Sequence, residues 1–286
     1  MARWSASALS LFMAGLALAL VFAYNGVLLD LCFKLGHGHL WRLDGFITEA
    51  AFVGLALSPP GQSVVGYLIG FRRPSAVEHA MLQGDLGRVE QRIRMAPPLR
   101  LHVIRRPDVN AFVLGTRHLA VTQGYFRLPS RSRDAVLSHE LGHAAGRHAA
   151  LTLSMTAMST VGNWFGFVVT TLATALVAAA SLHRVRGRSA TTHALLAGLL
   201  GIVMLLHYLL MGIAWAGFAI QVRRMEYEAD RFAARHGYGH DLAAVLQALS
   251  TGSRRGGVVG LLWASHPSTR RRLNRLARAM EEGHAL

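Results

Sequence analysis

The residues best suited to chemistry lie in the run Leu137-Ser138-His139-Glu140-Leu141-Gly142-His143-Ala144-Ala145-Gly146-Arg147-His148. Two histidines stand four residues apart, with a glutamate directly after the first. On a helix this spacing stacks both imidazoles on one face. There they can take adjacent corners of a tetrahedral zinc site, while Glu140 points to the side and can polarise a water at an open corner. A pattern of three fixed positions in five also arises by chance. One class of zinc site takes its third ligand from a longer His-Glu-x-x-His-x-x-Gly-x-x-His run. Gly146 is in place for that run, but the required position is Ala149 and the nearby histidine is His148. The third ligand is therefore expected elsewhere in the chain.

A candidate stands in Arg224-Met225-Glu226-Tyr227-Glu228-Ala229-Asp230, where Glu226 and Asp230 share a helix face. Glu226 would complete the metal shell. Asp230, one turn on, could accept a hydrogen bond from the distal nitrogen of a zinc histidine, fixing its tautomer and raising its basicity. The plainer alternative is a solvated acidic cluster beside Arg223, Arg224 and Arg231; taken with the histidine pair, the metal reading is the stronger.

With these residues in place, the sequence resembles the integral-membrane zinc metalloproteases that include bacterial HtpX and the CaaX prenyl proteases. The resemblance covers nearly the whole chain and rests on four ordered motifs: Asn110-Ala111-Phe112, His139-Glu140-x-x-His143, Glu226-x-x-Ala229-Asp230, and His266-Pro267 followed by Arg272. It implies a zinc endopeptidase with one Zn2+ on His139, His143 and Glu226, Glu140 as catalytic base, and Asp230 behind a ligand. It also implies that His266 stabilises the oxyanion, that Arg272 supports the site, and that Asn110, Ala111 and Phe112 lie along an extended polypeptide substrate. From spacing alone, Asn110 reads as a turn residue after Asp108, and His266 as a residue opening the last helix.

The elements that must position these groups are unusually apolar. The 286 residues are 52% hydrophobic, which is not the composition of an ordinary soluble domain. Residues 6–29 form an almost uninterrupted apolar run, long enough to cross a hydrocarbon core of about 30 Å. A signal peptide cleaved after Val21-Phe22-Ala23 is the alternative, but apolarity continues past Ala23, which favours an uncleaved anchor. A second span is expected over 46–71, interrupted by Ser58-Pro59-Pro60, with a kinked crossing or a re-entrant hairpin as its two forms. Third and fourth spans are expected over 151–182 and 195–220. His207, inside the fourth, reads as a packed neutral histidine, and Cys32 alone can form no internal disulfide.

Between the spans the composition becomes soluble. Residues 77–95 read as a helix weakened by Gly84 and Gly87. Leu99 to Ile104 reads as a strand, and Ala111–Leu114 with Leu119–Thr122 as a hairpin about Gly115-Thr116-Arg117-His118. The active-site helix is expected to begin near Ser132 or Asp134. Two helices, 241–250 and 267–282, should close the chain. The fold class is thus α+β: a four-span helical membrane protein with a zincin-like catalytic domain, gluzincin in type, built on a small antiparallel sheet. Its expected divisions are a membrane region 1–71, a first protease half 72–148, a membrane region 149–222 and a second protease half 223–286.

A net charge of +15 could suit nucleic acid, yet no recognition motif appears and the arginines accompany the spans, so anionic lipid headgroups are the expected partner. Arg184, Arg186 and Arg188 between the last two spans run against the positive-inside rule, but the larger arginine load at 72–147 and after Arg223 favours a cytoplasmic catalytic domain. The resemblance to HtpX implies a bacterial inner-membrane location and misfolded membrane proteins as the substrate pool. A receptor-type signalling protease and a catalytically silent zinc scaffold are the alternatives. Structural zinc sites favour four protein ligands, commonly cysteines, and a single cysteine argues against the scaffold.

Overall fold

The computed structural model describes residues 6–37, 44–183, 190–252 and 268–283. The chain divides into two compact units, one of residues 1–54 and 155–220, the other of residues 55–154 and 221–286. The first is built from helix α1 (Ala6–His37), helix α2 (Asp44–Leu57), most of α6 (His148–His183) and the first two thirds of α7 (Ala190–Arg235). Among the described residues, three helices are long and apolar enough to cross a membrane, over Phe12–Asp30, His148–Ala179 and Ala194–Arg235. Such helices fit a membrane protein. Polar side chains inside this unit are buried and paired in places: Asn25 donates to Glu49 at 2.9 Å and to the Met158 carbonyl, and the Tyr24 hydroxyl lies 2.7 Å from His207 Nδ1. His207 is thus a packed histidine, as its surroundings in the sequence suggest.

The segment 46–71 is not a single helix. Ser58 accepts a hydrogen bond from the Gly61 amide, and Pro59 and Pro60 occupy the first turn, so the interruption ends α2 and starts a new helix, α3 (Pro59–Leu68). Neither piece reaches the roughly 20 residues of a lone crossing. Residues from 55 onward belong to the second unit, because α3 lies against its sheet. Gln62 accepts from the Thr116 amide at 3.1 Å, and Gly66 leaves room for the Phe71 ring.

The second unit carries the sheet and the site. Strands β1 (Phe71–Arg72), β2 (Arg100–Ile104), β3 (Ala111–Leu114) and β4 (His118–Thr122) form a sheet in the order β1-β2-β4-β3. The β3–β4 hairpin is as the sequence indicates, but the sheet is mixed, not antiparallel. β2 pairs with β4 in parallel, Leu101 opposite Leu119 and Val103 opposite Val121, and β1 is an added antiparallel edge. A hairpin is read locally from its turn, whereas the partner of β2 is chosen by which strand offers the matching apolar face. That choice places β3 at the other edge.

Helix α4 (Ala76–Ile93) is capped by Ser75 and Glu78, which satisfy each other's backbone amides. It buries Leu82, Leu86 and Val89 in a core shared with Val103, Val121, Leu137 and Leu141. The helix of the His-Glu-x-x-His run, α5 (Ser130–Ala145), begins two to four residues earlier than expected, at Ser130 after Pro129. Asp134 does not cap it; its carboxylate instead pairs with Arg88 at 2.8 Å. The anchor between α4 and α5 is Asp85, only 1% exposed, which accepts from Arg133 Nε at 2.7 Å and from the Tyr125 hydroxyl at 3.1 Å. Helices α8 (Gly239–Gly252) and α9 (Thr269–Gly283) complete the unit.

Burial disfavours the charge on Asp85, but hydrogen bonds from Arg133 and Arg88 outweigh it and hold its pKa below the ordinary carboxyl value. Such a group contributes stability fully above the unfolded carboxyl pKa of about 4, and the contribution disappears as pH falls through the lower folded value. Asp85→Ala leaves Arg133 buried without its carboxylate and should cost about 3–5 kcal/mol at neutral pH. Thermal denaturation of the variant should show this loss at pH 7 and a smaller difference from the parent in strong acid. An equal loss at both pH values would contradict the assignment.

Candidate metal centre

Two features of α5 decide where its histidines point. A Cβ on Gly142 would stand 3.0 Å from the Ala229 Cα, so this glycine lets α5 and α7 touch backbone to backbone. A Cβ on Gly146 would collide with the His148 ring, and Arg147 takes the left-handed conformation (φ 53°) that turns the chain from α5 into α6. Together they bring Glu226 and Asp230 from α7, and His148 from the start of α6, around the His139–His143 pair.

His139 Nε2 and His143 Nε2 lie 3.2 Å apart, and the Glu226 carboxylate is 3.3 Å from the second and 3.7 Å from the first. Ligands at the zinc–nitrogen distance of about 2.0–2.1 Å span a tetrahedral edge of about 3.3 Å; the two Nε2 atoms meet that spacing, and the Glu226 carboxylate approaches one of them with each oxygen. His139, His143 and Glu226 form the group able to hold a metal among the described residues.

The tautomers agree with this geometry. His139 Nδ1 is 3.0 Å from Asp230 Oδ1, and a carboxylate only accepts, so a metal on Nε2 would leave the ring proton on Nδ1, toward Asp230. His143 Nδ1 lies 3.1 Å from His148 Nδ1, and His148 Nε2 lies 3.3 Å from Glu228. Glu228 accepts from His148 Nε2, which leaves His148 Nδ1 to accept from His143 Nδ1 and His143 Nε2 free to donate its lone pair inward. Arg224 Nε holds Glu228 at 2.6 Å.

Charge points the same way. Burial opposes a charge on His143, but its contact with Glu226 and the nearby Glu140 carboxylate raise its pKa above the ordinary value, so the centre favours a cation at Nε2. The carboxylates Glu140, Glu226 and Asp230 and the guanidinium of Arg272 are all buried at this centre. Arg272, from α9, grips Asp230 through Nε at 2.9 Å and Nη2 at 2.7 Å, and reaches Glu226 through Nη1 at 3.1 Å.

Glu140 sits beside the pair, its Oε2 accepting from the Val113 amide at 3.2 Å. Because the Asn110 carbonyl accepts from the Thr122 amide, Ala111 and Val113 turn their backbone groups away from β4, toward the free edge. Asn110, Ala111 and Phe112 line the same cavity of about 310 Å³ as the histidines, Glu140, Glu226 and Arg272. Its other wall is apolar, carrying Val136, Met225, Leu242 and Leu246. Asp230 stands behind His139. His266 lies outside the described residues, as do Arg184, Arg186 and Arg188.

The arrangement is that of a metallopeptidase, and comparison with protein-family models decides the family: the model for peptidase family M48 matches residues 78–280. The chain belongs to peptidase family M48. A search of curated proteins gave no match. Membership in M48 indicates a metallopeptidase acting on polypeptides, and the matched span contains every site residue named above. What the sequence reading left out is the partner chain behind His143. His148, which the sequence places one residue off the ligand count, stands behind His143 instead, folded back by the left-handed Arg147.

Removing such an orienting partner typically weakens metal binding about 10–100-fold. His148→Ala should therefore lose zinc to a chromogenic chelator at correspondingly lower chelator concentration while remaining folded by circular dichroism. Unchanged affinity would remove this relay from the site.

Proposed function

We propose that this M48 peptidase is a membrane-embedded, zinc-dependent endopeptidase that cleaves extended polypeptides at the His139–His143–Glu226 centre. The observation that carries the reading is the convergence of His139, His143 and Glu226 on one point beside the Glu140 carboxylate, which an edge-strand amide holds. The cavity leaves room for substrate next to the ligands, which a closed structural site would not.

Zinc, when bound, supplies a Lewis acid that brings the pKa of water down to about 7 and polarises the scissile carbonyl. His139 Nε2, His143 Nε2 and Glu226 would hold it. Substrate adds as a strand along β3, its backbone meeting the outward amide and carbonyl of Ala111 and the carbonyl of Val113. The Val113 amide keeps the Glu140 carboxylate at that edge, where Glu140 takes the proton of the attacking water and returns it to the leaving amine. Arg272 neutralises Asp230 and Glu226 and so acts by positioning. His266 would donate to the developing oxyanion, a role that rests on the resemblance to HtpX-type proteases. The same resemblance supports misfolded membrane proteins as substrates, a bacterial inner-membrane location and a cytoplasmic catalytic domain.

Glu140→Ala should keep a full equivalent of zinc by elemental analysis and lose peptide hydrolysis, since the residue moves a proton without holding the metal. Loss of zinc from that variant would refute the division of roles. For His266→Ala, kcat should fall about a hundredfold to a thousandfold with little change in KM, the signature of an oxyanion donor. A variant keeping more than about a tenth of the parent kcat would leave His266 as a helix-opening residue only.

A further inference from the structure

Helix α3 is amphipathic in the reverse of the usual sense. It turns Gln62 and Gly66 to the sheet and Gly61 to the end of α2, whereas Val64, Tyr67 and Leu68 point outward at 58%, 79% and 75% exposure. Positions 64, 67 and 68 form one stripe at helical spacing, and exposed Ile69 continues it. Water is a poor neighbour for such a stripe, and a ten-residue helix cannot cross a bilayer.

The chain around the stripe is cationic. Arg73 is exposed just past β1, and Arg105 is exposed one register step beyond the Phe71–Ile104 pair, alongside Gly70 at the end of α3. An apolar helix face ending in an aromatic residue and flanked by arginines matches the interface of an anionic bilayer, where acyl chains take the stripe and headgroups the guanidinium groups. The same chain carries helices long enough to cross such a bilayer.

We propose that α3 lies in the plane of the membrane as an interfacial anchor of the peptidase unit, with Val64, Tyr67 and Leu68 in the acyl region and Arg73 and Arg105 at anionic headgroups. The bilayer is then a direct partner of the unit that holds the metal centre. Gln62 and Gly66 tie the anchor to the sheet that carries β3, so the substrate edge has a fixed height above the lipid.

The test uses the full chain in vesicles of phosphatidylcholine and phosphatidylglycerol at three to one. The single cysteine is removed as Cys32→Ser, and one nitroxide is placed by Leu68→Cys. Leu205→Cys, on the lipid-exposed length of α7, and Arg131→Cys, at the start of α5, serve as references. Collisions of the label with oxygen and with a water-soluble nickel chelate report its depth. The proposal expects the oxygen-to-nickel ratio at 68 to be several-fold above that at 131 and on the side of 205. A ratio at 68 like that at 131 overturns it, while a high ratio at 205 keeps the membrane reading intact. A label at 68 shielded from both reagents, as beneath a second copy or another segment of the chain, also overturns it. Retained peptidase activity shows that each variant is folded.

Discussion

The peptidase unit depends on a single close approach, the contact of α5 with α7 at Gly142 and Ala229. Each helix alone carries half a site: two imidazoles on one, two carboxylates on the other. A side chain at Gly142 would meet the Ala229 backbone at 3.0 Å, so α7 would have to give by a few tenths of an ångström at the place that sets Glu226 against the histidines. The glycine inside the His-Glu-x-x-His motif is therefore as much a part of the metal centre as the ligands.

That approach concentrates negative charge in a buried place, and the rest of the unit is arranged to tolerate it. Arg272 comes from the far end of the chain to bond Asp230 through two nitrogens and Glu226 through a third. A buried carboxylate without such a partner would be protonated or would disrupt the fold. The imidazoles are held from behind by two different devices, a carboxylate on His139 and a histidine–glutamate relay on His143. Both aim a lone pair at the same point.

The sheet serves the same centre from the other side. β3 is an edge because β4, not β3, pairs with β2, and that mixed topology frees the Ala111 and Val113 backbone groups. The Val113 amide then binds the Glu140 carboxylate, linking the strand edge to the residue that handles the proton. On the opposite edge, the short strand β1 carries the chain in from α3, whose outward face is apolar.

The sequence by itself determined the chemistry of the ligands. The spacing of His139 and His143, the later Glu226 and Asp230, the β3–β4 hairpin and the three long apolar helices are all local patterns, set by helix and strand periodicity over a few turns. Tertiary structure decided what periodicity cannot express. The parallel pairing of β2 with β4 joins segments that do not touch in sequence. The start of α5 at Ser130 follows from Arg88 taking Asp134 away from the helix end. His148 became an orienting group because a left-handed Arg147 folds it back over Gly146, and Arg272 found its carboxylates across forty residues. Ser58-Pro59-Pro60, which reads as an interruption in an apolar span, proved to be a helix start, because Gln62 and Gly66 had a sheet to pack on. In each case the deciding partner is distant in the chain, and its identity depends on packing that only the folded molecule supplies.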